Sequence, residues 1–282
     1  NQMKLKLIMF LLCLSPIIVT DEGKEFDTIK ILVYNTHGLP EIFIDDNPKF
    51  RFPIIGSKIK AYDIALIQED YAHHEELESG LGEKSIAIRG PLGNTLFCPF
   101  CTGSGLTTIF SQEEDWDYQV ESEAFETCSG WLRGANDCFA YKGFQLIKLI
   151  IDGNELYILN THMDAGRRDS DRASRKLQLD HIYKVLEQKT KGNPLIVAGD
   201  LNLSAKDPED MKLLSNFKAK LNLVDSFEGV NRGLEWSILD YILYRGSSTK
   251  QINIIDAGED RSFVTEEGYL SDHPALFVEI SF

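Results

Sequence analysis

The chain has 282 residues, with 29 Lys and Arg against 44 Asp and Glu, a formal charge of −15. Hydrophobic residues make up 43% and charged residues 26%, ordinary globular values that exclude disorder, collagen-like repeats and coiled coils. So acidic a chain is not expected to hold nucleic acid mainly by a basic surface, because phosphate neutralisation needs clustered Lys and Arg. A nuclease whose metal ion meets the phosphate locally stays compatible with that charge.

At the N-terminus, Lys4 and Lys6 precede the apolar run Leu7-Ile8-Met9-Phe10-Leu11-Leu12-Cys13-Leu14, which Ser15-Pro16 interrupts. A basic start and an apolar run well short of the about 20 residues of a bilayer span read as a secretory signal. Residues 1–20 are therefore expected to be cleaved, with an uncleaved anchor as the alternative, leaving 21–282 as one secreted domain. No other stretch is long and apolar enough to span a membrane.

Setting Cys13 aside leaves Cys98, Cys101, Cys128 and Cys138, an even set that reads as disulfides in an oxidising compartment. Three pairings are open; Cys98–Cys101 with Cys128–Cys138 is the favoured one. Pro99-Phe100 and Gly103-Ser104-Gly105 mark a loop, which speaks against a thioredoxin-like use of the Cys-x-x-Cys spacing. A zinc site is a less favoured reading.

Strand and helix patterns then alternate. Apolar runs at Ile29–Asn35, Asp63–Gln68, Thr107–Phe110, Phe144–Ile151, Leu156–Asn160, Leu195–Ala198, Leu239–Tyr244 and Leu276–Ile280 read as strands. Asp171–Gln188 reads as a helix capped by Ser170 or Asp171, and Asp207–Lys220 as a second, opened by Pro208. Apolar strands bounded by helices imply a layered α/β domain.

Polar residues collect where the strands end: Asn35-Thr36-His37-Gly38, Gln68-Glu69-Asp70, Asn160-Thr161-His162, Gly199-Asp200-Leu201-Asn202, Asp240-Tyr241 and Ser271-Asp272-His273. Singly, each reads as a turn, and His73 and His74 in their Glu-rich stretch read as solvated. Together they supply carboxylates, amides and two imidazoles. Glu69 and Asp272 are hard oxygen ligands suited to Mg²⁺ or Ca²⁺. A cation there would act as a Lewis acid on a phosphate. One histidine beside a carboxylate can take a proton from water, and the other can stabilise charge on phosphorus. That chemistry is metal-assisted hydrolysis of a phosphate ester.

In their order along the chain, these motifs resemble the endonuclease/exonuclease/phosphatase (DNase I-like) superfamily, from about Ile29 to Phe282. The resemblance implies a four-layer α/β sandwich with two central mixed β-sheets flanked by helices. It also implies a divalent cofactor, Mg²⁺ or else Mn²⁺ or Ca²⁺, held by Glu69, Asn35 and Asp272. By the same resemblance His273 is the general base oriented by Asp240, Asp200 and Asn202 contact the scissile phosphate or leaving group, and His162 stabilises phosphoryl charge. Asn202-Leu203-Ser204 is formally a glycosylation sequon, which a role in the site discounts.

Within the superfamily, Tyr141-Lys142-Gly143-Phe144, Thr161-His162-Met163-Asp164-Ala165, Gly103-Ser104-Gly105-Leu106 and Leu239-Asp240-Tyr241-Ile242-Leu243-Tyr244-Arg245-Gly246 are similar to elements of neutral sphingomyelinases. That resemblance makes Lys142 a substrate-binding residue and a phospholipid at a membrane surface the partner, with nucleic acid the weaker candidate. A monomer is expected. Trp236-Ser237-Ile238-Leu239 stands where inositol polyphosphate 5-phosphatases carry Trp-Cys-Asp-Arg. His37 departs from the pattern. Phe263 and Tyr269 are candidates either for a membrane loop or for packing, and Arg167, Arg168 and Arg172 for a head-group contact or for solvent. The alternatives are a secreted DNase I-like endonuclease and a non-catalytic binding or toxin subunit on the same fold.

Overall fold

A computed structural model of the chain describes residues 28–41, 46–93, 103–111, 116–130, 137–228 and 238–282. The N-terminal segment, Cys98, Cys101 and Trp236 lie outside these residues. In chain order the elements begin with β1 (Thr28–Asn35), α1 (Pro48–Ile59), β2 (Ile64–Gln68), α2 (His74–Gly80), β3 (Ile86–Arg89), β4 (Thr107–Phe110) and β5 (Asp117–Ala124). They continue with β6 (Gly143–Ile151), β7 (Asn154–His162), α3 (Asp169–Thr190), β8 (Leu195–Asp200), α4 (Pro208–Leu221), β9 (Val224–Asp225) and β10 (Asp240–Arg245). The last are β11 (Asn253–Glu259), β12 (Val264–Thr265), β13 (Gly268–Tyr269) and β14 (Leu276–Ser281).

Two six-stranded sheets form, ordered β11-β14-β1-β2-β4-β3 and β5-β6-β7-β8-β10-β9, and β12-β13 is a separate small hairpin. Pairs β1/β2 and β7/β8 are parallel and their other neighbours antiparallel, so both sheets are mixed. Side chains alternate across each strand, and here both faces are buried. From β1, Ile29, Ile31 and Val33 meet Ile147, Leu156, Ile158 and Ile196 of the second sheet. Leu32 and Tyr34 point the other way, onto Phe52 and Ile55 of α1 and Leu77 of α2. In the second sheet, Leu159, Val197 and Leu243 turn outward onto Leu179, Ile182 and Phe217 of α3 and α4. Each such side chain contributes about 1.5–3 kcal/mol by leaving water. Helix, sheet, sheet, helix is the four-layer sandwich the sequence implies.

Helix α3 runs two residues further at each end than its pattern suggested, and α4 is shifted by one residue. Asp207 caps α4 by accepting from the backbone N–H of Glu209 at 2.9 Å and of Asp210 at 3.4 Å. The N-cap of α3 is Arg168, not Ser170 or Asp171; Asp171 sits inside the first turn and accepts from the Arg168 N–H at 2.9 Å. Helix α1 escaped the periodicity because Pro48 opens it and Pro53 interrupts its hydrogen-bond ladder. Strand β5 is a polar edge, alternating exposed and half-buried residues, and carries no apolar run.

Among the described residues no helix is long and apolar enough to cross a membrane. Cys128 and Cys138 are disulfide-bonded, as favoured above, while the partner pairing lies outside the described residues.

Candidate active site

Parallel strands β1, β2, β7 and β8 run to one rim, and antiparallel β10 and β14 begin there. Register then assembles the site: Asn35 pairs with Gln68, and Asp200 pairs with both His162 and Asp240. The sheets are tied together just beneath it. Gln68 Nε2 donates to Asn160 Oδ1 at 2.8 Å, and Asn160 Nδ2 donates to Gln145 Oε1 at 3.3 Å. Gln68 and Asn160, read from sequence as strand-end polar residues, form a fully buried inter-sheet link, and Gln145 holds Asn160 from the neighbouring strand of the same sheet.

Two glycines allow the close approach. A Cβ on Gly38 would lie 2.3 Å from the Glu69 carbonyl, which accepts the Gly38 N–H at 2.7 Å. A Cβ on Gly199, at φ 131°, would lie 2.0 Å from the Thr161 carbonyl. Glu69 itself sits in the left-handed region at φ 60° and Asn202 at φ 52°, backbone strain held by the surrounding contacts.

Asn35 Nδ2 bridges the two sheets, donating to Glu69 Oε1 at 3.2 Å and to Asp200 Oδ2 at 3.1 Å. His162 Nε2 stands 3.6 Å from each of the same two carboxylates. Lys142 Nζ donates to His162 Nε2 at 2.9 Å, to the Met163 carbonyl at 2.9 Å and to Asp137 at 2.6 Å. An ammonium can only donate, so His162 Nε2 accepts and its proton rides on Nδ1. Burial first, then the charges of Lys142 and His273, hold the His162 pKa well below the usual histidine range. Burial opposes the Lys142 charge, yet the Asp137 and Glu69 carboxylates outweigh it and raise that pKa.

His273 Nδ1 donates to Asp240 Oδ2 at 2.8 Å and leaves Nε2 3.9 Å from Asp200 Oδ2. Burial works against its charge, but Asp240, Asp200 and Asp272 prevail and raise its pKa to about 11. Burial and the Asp240 carboxylate push Asp200 the other way from a normal acid, up to about 7. Asp200, Asp240 and His273 offer ligand atoms within 4.8 Å of one another, a group able to hold a metal ion.

Asn202 donates from its backbone to Asp200 Oδ1 at 2.8 Å and from Nδ2 to the Met163 carbonyl at 3.0 Å. It is 5% exposed, which leaves no room for a glycan. Asp272 is largely exposed and meets His37 at 3.8 Å, while Ser271 Oγ beside it donates to the Asn35 carbonyl at 2.7 Å. Thus Asn35, Glu69, Lys142, His162, Asp200, Asn202, Asp240 and His273 lie in one contact network, and Asp272 stands at its edge. His37 joins that edge, with Nδ1 2.9 Å from Asp46 Oδ2.

Other expectations change. His73 and His74 are buried, not solvated: His74 Nδ1 lies 2.6 Å from Asp70 Oδ2, and His73 packs its ring against Phe52. Their Glu-rich stretch folds as α2 over the first sheet, so composition misled there. Phe263 is core, edge-on to Tyr34, whereas Tyr269 is 53% exposed on the β12-β13 hairpin. Arg172 is engaged by Asp169, Asp207 and Asp210, and Arg167 donates to the Asn202 carbonyl at 3.0 Å.

Sequence reading passed over Asp137, Arg51 and the buried Arg175–Asp210 pair. Arg175 and Asp210 carried a faint signal: both fall on the inner face of an otherwise amphipathic helix. Arg51 gathers the carbonyls of Thr36, His37, Asp46 and Leu270, tying the first-motif loop to the last.

Four layers with carboxylates, amides and two imidazoles at one rim define a DNase I-like α/β sandwich. The pattern of the Endonuclease/Exonuclease/phosphatase family matches residues 32–273, and the chain belongs to that family. The sphingomyelinase of Mycobacterium tuberculosis is 24% identical over 271 residues, covering 87% of this chain and 51% of the relative. The chain therefore spans about half the length of the curated relatives it matches. Among solved structures, humanized Danio rerio TDP2 superposes with a TM-score of 0.69 at 15% identity, over 90% of this chain and 99% of that one. Staphylococcus aureus beta toxin with bound magnesium ions gives 0.63 at 16%, with the same coverages of 90% and 99%. Sphingomyelinase C from Streptomyces griseocarneus gives 0.62 at 17%, again over 90% and 99%. These structures share the fold. Family membership and the sphingomyelinase relatives support a phosphoric diester hydrolase, and the Asp200–Asp240–His273 group supports a divalent metal.

Proposed function

We propose that this chain is a secreted, Mg²⁺-dependent phosphodiesterase that hydrolyses sphingomyelin to ceramide and phosphocholine. The observation that carries the reading is the convergence of the His273–Asp240 pair with Asn35, Glu69, His162 and Asp200 on one rim. Sphingomyelinase relatives and the Lys142-Gly143 and Thr161-His162 elements favour the lipid, and an acidic chain disfavours DNA. The apolar run after Lys6 and the Cys128–Cys138 bond support an oxidising, extracellular setting. We propose a monomer acting at the membrane surface.

The donor set fits a hard cation. Glu69 presents carboxylate oxygens steadied by the Asn35 Nδ2, Asp272 stands near, and Asp200 is held up toward 7 by burial and by the Asp240 carboxylate, which positive charge would relieve. A divalent ion bound there supplies Lewis-acid charge to the phosphate and offsets the carboxylates that keep His273 protonated. The chain's own residues do the rest. Asp240 fixes the Nδ1–H tautomer, so His273 Nε2 is the atom that takes a proton from the attacking water. The Lys142 ammonium, aimed by His162 Nε2, supplies positive charge for the phosphoryl oxygens, and Asn202 orients the phosphate or the leaving oxygen.

The test is purified protein with Mg²⁺ on sphingomyelin liposomes and on plasmid DNA in parallel. Phosphocholine release without nicking is expected. Nicking without phosphocholine would establish the nuclease reading, for which Danio rerio TDP2 complexed with a single-strand DNA product is the structural precedent. Inactivity on both would favour a non-catalytic role.

A further inference from the structure

Behind the rim, two loops leave the strands that carry His162 and Asp200, and both are gripped from below by one buried ion pair. Arg175 of α3 and Asp210 of α4 are each 0% exposed and meet at 3.3 Å. Arg175 Nη1 spans the carbonyls of Asp164, Ala165 and Gly166 at 3.0, 3.3 and 2.9 Å. Asp210 Oδ2 accepts the Ser204 N–H at 3.1 Å, and Oδ1 also meets Arg172 Nε at 3.3 Å.

The two loops are stitched a second time at the site itself. Asn202 Nδ2 donates to the Met163 carbonyl and Arg167 to the Asn202 carbonyl. Asn202 is thus the link between loops, at φ 52° in the left-handed region that Asn adopts more readily than most side chains.

We propose that the buried Arg175–Asp210 pair is a positioning element that fixes Asn202 for the phosphodiester chemistry by clamping together the loops after β7 and β8. This rests on the functional reading above and extends it to residues that touch no substrate. A buried ion pair is weak evidence of stability, because desolvation opposes its attraction. Its value here is geometric: the planar guanidinium reaches three carbonyls and a carboxylate at once, which no ammonium can do. Breaking it frees the two loops to part and Asn202 to lose its hold on the Met163 carbonyl.

Asp210→Asn keeps the side-chain shape and removes the charge; Arg175→Lys keeps the charge and removes the fork, and serves if the first variant fails to fold. Amide hydrogen exchange, read without substrate, is expected to quicken at Asn202 and Met163, with Val197 in the middle of β8 unchanged. Unchanged exchange at Asn202, or a uniform rise that includes Val197, would overturn the proposal. In kinetics on the phosphodiester found to be hydrolysed, kcat is expected to fall on the order of tenfold to a hundredfold, more than KM moves. In an Asn202→Ala background Asp210→Asn should then cost nothing further, and additive losses would equally overturn the proposal. Because exchange needs no turnover, a chain inactive on every phosphodiester would sink the functional reading and leave the positioning result standing.

Discussion

The two sheets build unequal halves of the site. The half from β7, β8 and β10 is sealed: His162, Asp200 and Asp240 are each at most 2% exposed, and Lys142 is 6% exposed. These residues sit within or beside strands, so backbone register fixes their spacing. The half from β1 and β2 is looser. Glu69 lies past its strand end in strained backbone, Asp272 lies in a loop, and both reach toward solvent. Burial and crowding give the sealed half its perturbed charges, whereas the open half offers oxygens an incoming cation can reach. His162 and His273 make the contrast concrete. His162, sealed from water and beside an ammonium, has its pKa held well down; His273, beside three carboxylates, has its pKa held up.

Removing the proposed base, which stands on the loop before β14 and is held by Asp240 of the sealed half, should have the largest effect. His273→Ala is expected to cut kcat by about 10²–10⁴-fold with the fold intact by circular dichroism. Near-normal turnover would take His273 out of its role as base. Next comes the open half. Glu69→Gln should weaken Mg²⁺ binding by about tenfold or more, measured by calorimetry on the protein without substrate. An unchanged affinity would move the metal into the Asp200–Asp240–His273 group.

The smallest expected effect is a pH dependence of stability. Asp200 has its folded pKa raised to about 7 from 3.8, so between those values the folded state holds the extra proton. Metal-free stability from this group therefore falls as pH rises from about 4 through 7. His273, raised to about 11, has the same sign in a higher window: its contribution is full below the usual histidine range and is lost as pH climbs from there through 11. Mg²⁺ should accordingly raise the melting temperature more at pH 8 than at pH 5. An equal rise at both would mean the cation does not relieve Asp200.

Much of this was open to reading from the chain. The strand cores announced themselves as continuous β-branched runs, because a strand buried on both faces must be apolar at every position. The site residues followed from their place after those runs. Helix α2 was hidden by its acid-rich composition, since the face that covers Phe52 and Ile67 is only a few residues wide. For the same reason His73 and His74 read as solvated. Asp171 looked like a cap because one residue of offset, invisible to pattern, separates an N-cap from the first turn.

By itself, then, the sequence determined the layered α/β class, the family and most of the residues that gather at the rim, since each depends on local pattern or motif order. Tertiary structure alone decided which histidine is charged, that Asn160 and Gln68 bind sheet to sheet, and that Arg175 and Asp210 meet beneath two loops. These are consequences of burial and of contacts between residues far apart in the chain, 92 positions for Gln68 and Asn160, and a protonation state follows from its neighbours rather than from its own residue type.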